Sequence, residues 1–162
     1  MSILESISLG ETLFLNSILT NTETLYGLKK NNTEELEKVD KMLIRNILST
    51  GIGTPIAMLY LELGCIRIQT IIKCRRINFL HYLISSHNEK TLHKFFMTQW
   101  NYPNKGDWTH DVKKDLMDFD IEVDLDFIRK ISKNAFKNIV KLKAKNMKLL
   151  IFWKIICLKW KI

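Results

Sequence analysis

The sequence is poor in residues that break helices. Its 162 residues include only two prolines and six glycines. A many-stranded β fold needs a turn every ~8–12 residues, so this scarcity excludes one and favours long helices. Cysteine is scarce as well: Cys65, Cys74 and Cys157 form an odd set without paired spacing. A disulfide framework is therefore not expected, and free thiols in a reducing compartment are. The first residues lack a basic start and contain Glu5 and Glu11, unlike a secretory signal. These features predict an intracellular protein, nuclear or cytoplasmic. No apolar run is long enough to span a bilayer. The longest, Leu149 to Ile162, is interrupted by Lys154, Lys159 and Lys161.

Acids are missing from one place in particular. Residues 1–128 carry 14 Lys/Arg and 17 Asp/Glu, whereas residues 129–162 carry 11 Lys/Arg and no acid. The formal charge of +8 thus belongs to the C-terminal segment. A segment of that kind suits a polyanion, either nucleic acid or an anionic membrane surface. The plainer reading is a solvated tail.

Periodicity predicts an all-α chain, an irregular helical bundle of about six to eight helices. A first helix is expected over about Leu9 to Tyr26, closed by Gly27. A second spans about Thr33 to Ser49, with Leu36, Val39, Leu43 and Ile47 at steps of three and four. Asn32 would cap it, with Glu35 three residues on as in a capping box and Glu34, Glu35 and Glu37 in the first turn. Thr54 and Pro55 restart a short helix, Ile56 to Leu63, which Gly64 stops. A long helix follows over about Ile68 to Ser85, its apolar face Ile68, Ile71, Ile72, Leu80 and Leu83, with Arg75 and Arg76 near its middle. A fifth runs from Lys90 to Trp100. The segment Asn101 to Trp108, with Pro103 and Gly106, is the one strong loop of the second half. Shorter helices are expected at Val112 to Met117 and Leu125 to Ile131. A last helix starts near Asn134, capped by Ser132. On it Phe136, Ile139 and Val140 lie opposite Lys137, Lys141, Lys145 and Lys148. The loop suggests two lobes, residues 1–100 and 101–162.

A search for chemistry returns little. His81, His87, His93 and His110 have no metal-ligand spacing, and no CxxC occurs. No nucleophile elbow, phosphate-binding glycine loop or catalytic cysteine signature is present. The alternating acids Asp118, Asp120, Glu122, Asp124 and Asp126 read as a linker between helices, not as paired ligands for a two-metal centre. No catalytic site, metal or cofactor is expected, and no small-molecule substrate. Trp100, Tyr102 and Trp108 read as anchors that pin the loop to the core, although aromatics beside Lys105 can also stack bases. The candidate phosphate contacts are Lys133, Lys137, Lys141, Lys145 and Lys148 on one helix, with Arg75 and Arg76.

Taken in order, several stretches resemble one family. They are "EELEKVDKMLIRNIL" (34–48), "TPIAMLYLELGCIRIQTIIKCRRINFLHYLI" (54–84), "KFFMTQWNYPNKGDW" (94–108) and "VKKDLMDFDIEVDLDFIRKISKNAFKNIVK" (112–141). Together they are similar to the region C-terminal to the palm in the reverse transcriptases of non-LTR (LINE-type) retrotransposons. "SISLGETLFLNSILTNTETLYGL" (6–28) resembles the segment just before it, where the chain leaves the palm for the thumb. The resemblance implies a fragment: a thumb-like and post-thumb module lacking the catalytic palm, whose aromatic-x-Asp-Asp motif is missing here. Such a module would hold a template–primer duplex, RNA or RNA/DNA, through its backbone. Arg67 stands where relatives tend to have proline. After about Lys145 the sequence no longer follows the family and reads as translation past a decayed boundary.

The expectation is a non-catalytic remnant of a retrotransposon reverse transcriptase that binds nucleic acid non-specifically through a Lys-rich helix. A helical protein-interaction or structural module is the alternative. In a third reading, Trp153, Ile156, Leu158 and Trp160 among the final lysines lie on an anionic membrane surface. A membrane partner is not the expectation.

Overall fold

The computed structural model describes residues 17, 19–24, 30–86 and 90–160. The chain is all-α, with seven helices among the described residues, within the expected range. They are α1 (Lys30–Leu48), α2 (Ile56–Glu62), α3 (Ile68–Ser85), α4 (Thr91–Asn101), α5 (Trp108–Asp118), α6 (Leu125–Lys130) and α7 (Lys133–Trp160). No helix among the described residues is long and apolar enough to cross a membrane.

Two compact units divide the chain. Met1–Thr20, Lys29–Ile71 and Lys148–Ile162 fall to one, and Asn21–Leu28 with Ile72–Met147 to the other. Two of the four boundaries fall inside helices, α3 and α7.

In the first unit, Ile44 of α1 packs with Leu59 and Tyr60 of α2, and Leu48, Ile56, Leu63 and Cys65 close around them. The Tyr60 hydroxyl donates to the buried carboxylate of Asp40. That bond explains a correction. The predicted stripe Leu36, Val39, Leu43, Ile47 is not the buried one: Asp40 and Ile44 are, one position further along the helix. Burial of Asp40 is tolerable because its carboxylate has a donor. The start of α1 also differs. It begins at Lys30, so Asn32 lies inside the helix and no acid stands in the first turn. At the other end, Ser49 takes the left-handed conformation (φ 50°) and Arg45 donates to the Gly51 carbonyl at 2.6 Å. The turn beyond α1 is thus set at Ser49 before either glycine is reached. The expected helix over 9–26 falls mostly outside the described residues, but Leu19–Thr24 form turns, with Asn21 at φ 63°.

The second unit contains the larger core. Ile72, Ile77, Leu80, Leu83 and Ile84 of α3 are buried with Phe96, Val112, Leu116, Phe119, Ile128, Phe136, Val140 and Ala144. Ile71 is only half-buried, and Ile139 is exposed, against expectation. Trp100 and Trp108 are buried, whereas Tyr102 stands exposed in the loop. The acidic stretch after α5 is indeed a linker. Phe119 and Ile121 turn inward, and Asp124 caps α6 by accepting from the Asp126 amide at 2.8 Å. Ser132 caps α7, its Oγ accepting from the Ala135 amide at 3.3 Å.

Polar side chains fix the helix ends. His93 Nδ1 donates to the Leu83 carbonyl at 3.0 Å, and Arg129 donates twice to the Ile84 carbonyl at 3.2 Å. His81 Nε2 donates to the Ile131 carbonyl at 2.9 Å. These bonds satisfy carbonyls that helix ends leave unpaired. They also account for two histidines as structural donors.

Candidate nucleic-acid interface

The basic residues of α3 and α7 separate into two kinds once the chain is folded. Arg76 is buried, with Nη2 at 2.7 Å from Asp115 Oδ2 and Nη1 at 3.4 Å from Asp111 Oδ2. Lys73 lies beside Asp118 and 3.7 Å from Asp115. Asp111, Asp115 and Asp118 step by four and three along α5, and Lys73 and Arg76 by three along α3. The two helices therefore face one another with stripes of opposite charge. Arg76 is a structural cation of this interface and is set apart from the candidate phosphate contacts. Burial pushes the Asp115 carboxyl up to about 6, outweighing the nearby Arg76 and Lys73.

Arg75, the neighbouring residue, has a different setting. It lines a groove of about 490 Å³ together with Lys133 and Lys137 of α7. Three of the sequence-predicted cations are thus brought to one place from two helices. The groove's aromatic side is formed by Phe79 and Tyr82 on α3 and Phe136 on α7. Phe79 and Tyr82 stack with ring centroids 5.7 Å apart, and Trp108 meets Phe79 edge-on at 5.7 Å. Phe136 is buried against His81, their centroids 5.1 Å apart. Asn78 and Glu23 complete the lining. Glu23 is tied down through its backbone, whose carbonyl accepts from the Trp108 indole at 2.7 Å.

The groove opens onto a row of lysines. Phe136, Val140 and Ala144 form the buried side of α7, and Lys133, Lys137, Lys141 and Lys145 are all exposed. Spaced four residues apart, the lysines wind slowly along about 18 Å of helix. Among the described residues none of the four forms an ion pair with an acid. The nearby Asp120 is held instead by Lys143, at 2.7 Å. Lys148 belongs to the same helix, but its side chain lies outside the described residues, as do those of Trp153 and the residues after it.

Sequence reasoning named the cations but missed Glu23, Asn78, Phe79, Tyr82 and Phe136. A signal for most of them existed. Arg75, Phe79 and Tyr82 stand at i, i+4 and i+7 on α3, one face, and Lys133, Phe136 and Lys137 at i, i+3 and i+4 on α7. Glu23 comes from a distant turn and had no local signal.

No family model matches the chain, and no curated protein or solved structure matches it either.

Proposed function

We propose that this chain binds nucleic acid through the phosphate backbone, without sequence selectivity and without catalysing a reaction. The observation that carries the proposal is the convergence of Arg75, Lys133 and Lys137 on one groove, continued by Lys141 and Lys145 along α7. A backbone carrying regularly repeated negative charge is met well by a row of exposed cations such as Lys133, Lys137, Lys141 and Lys145. The resemblance of residues 6–145 to the region behind the palm of LINE-type reverse transcriptases agrees with this reading. It makes RNA or an RNA/DNA duplex the fitting partner and an intracellular location, nuclear or cytoplasmic, the fitting place. On that reading residues 6–145 correspond to the part of such a protein that lies behind its catalytic palm.

The test is equilibrium binding of the whole chain to a labelled RNA/DNA duplex and to anionic phospholipid vesicles over a range of salt. The expected result is duplex binding that weakens steeply as salt rises, because bound counterions are released from the phosphates. Binding to neither partner would leave a helical interaction module, with the lysines merely solvating α7. Vesicle binding that depends on residues 149–162 would favour the membrane reading.

A further inference from the structure

We infer that the groove between α3 and α7 accepts an unpaired nucleotide, its base stacked on Tyr82 and its edge turned to Glu23, with guanine preferred. The inference rests on the nucleic-acid reading above and adds, in the groove alone, a base preference for single strands that the unselective lysine row does not have. Backbone contacts alone need only exposed cations, yet this groove also carries aromatic rings and an acid. Two of these three rings are already covered. Phe136 is buried against His81, and Phe79 is held between Tyr82 and the edge of Trp108. Tyr82 is the exception: it is 51% exposed and lines the groove. A half-exposed ring backed by a second stacked ring is a rigid ledge with one free face. Every base has a π-face to lay on such a ledge, but only when it is out of a duplex.

Charge in the groove is arranged asymmetrically. Arg75, Lys133 and Lys137 suit a phosphate, and Glu23 repels one. Glu23 Oε2 is buried without a hydrogen-bond partner among the described residues. That oxygen is closed to solvent, so a ligand reaches the Glu23 carboxylate only as the side chain turns toward the groove; a carboxylate only accepts, so such a ligand should bring N–H donors. Phosphates offer none, a ribose 2′-hydroxyl offers a single O–H, and a base edge can offer two adjacent N–H groups. Guanine presents two adjacent donors, N1–H and the N2 amino group, which match the two oxygens of a carboxylate. Uracil presents one donor between two acceptors. The size of the groove is that of a small-ligand site, not of a helical duplex.

The experiment uses the whole chain and labelled RNA: a short oligouridine strand, the same strand with one central guanosine, and a duplex. Tyr82→Leu keeps apolar bulk but removes the ring, and Tyr82→Phe keeps the ring. Single-strand binding should weaken about tenfold or more in Tyr82→Leu and persist in Tyr82→Phe. Duplex binding, held by the lysine row, should change in neither. The guanosine strand should bind about tenfold tighter than oligouridine, and Glu23→Gln should abolish that advantage. If Tyr82→Leu leaves single-strand affinity unchanged while duplex binding remains, stacking in the groove is overturned and backbone binding survives. Equal affinity for the two strands overturns the assignment of Glu23 to a base edge. Loss of all binding in the unaltered chain overturns the nucleic-acid reading itself.

Discussion

Asp115 makes the fold's stability depend on pH in a direction unusual for a carboxylate. Its side chain is 3% exposed and lies 2.7 Å from Arg76 Nη2. An ion pair of that kind is usually expected to hold a carboxyl low. Here burial costs the anion more than Arg76 and Lys73 return, and the group titrates at about 6. In the unfolded chain an aspartate titrates near ~4. Between about pH 4 and about pH 6 the folded chain therefore holds a proton that the unfolded chain has released. Unfolding free energy falls with rising pH wherever the native state binds more protons. Each pH unit is worth about 1.4 kcal/mol per proton, so this one group removes up to about 3 kcal/mol of stability across that window. Urea unfolding followed by circular dichroism, at steps between about pH 4 and pH 7, measures the whole dependence. Asp115→Asn cannot titrate, and the difference between the two curves isolates the residue. The unaltered chain should lose stability relative to the variant as pH rises to about 6, after which the two curves run parallel. A constant difference at all pH values would show that Asp115 titrates alike in the folded and unfolded chains, and a difference of opposite slope would mean that Arg76 dominates over burial.

Other consequences follow from single contacts. Tyr60→Phe removes the hydroxyl that donates to the buried Asp40 carboxylate and should cost about 1–3 kcal/mol in urea unfolding; an unchanged midpoint would mean that this bond contributes nothing to stability. Cys74, whose thiol burial pushes up to about 12, should alkylate far more slowly in the folded chain than in urea, as followed by mass-spectrometric peptide mapping. Equal rates in the two states would contradict its burial. Asp124→Ala removes the cap of α6 and should lower stability by about 1 kcal/mol, which the thermal midpoint would register.

Local signals were the readable part of the sequence. The α3 helix runs over Ile68–Ser85 as its apolar spacing predicts, and Ser132 caps α7 as expected. What failed depended on long-range partners. The buried stripe of α1 is displaced by one residue because Tyr60, on another helix, supplies a donor for Asp40. Periodicity alone favours apolar Val39 over an acid, yet Val39 is exposed. Arg75 and Arg76 are adjacent and chemically alike, so nothing local separates them. The acids of α5 take Arg76, and the groove takes Arg75. The groove was half legible. Its cations stood out in an acid-free segment, whereas its aromatic residues looked like ordinary core until Tyr82 was seen to be exposed.

If the cations of α7 meet phosphate, the salt dependence of duplex binding must change when they are removed. Changing Lys133, Lys137, Lys141 and Lys145 together to glutamine leaves the buried side of α7 intact. For a DNA duplex, each lost phosphate contact should flatten the plot of log affinity against log salt by about 0.9, so the variant's slope should be shallower by about three to four. An unchanged slope and affinity in the variant would show that these lysines do not meet phosphate.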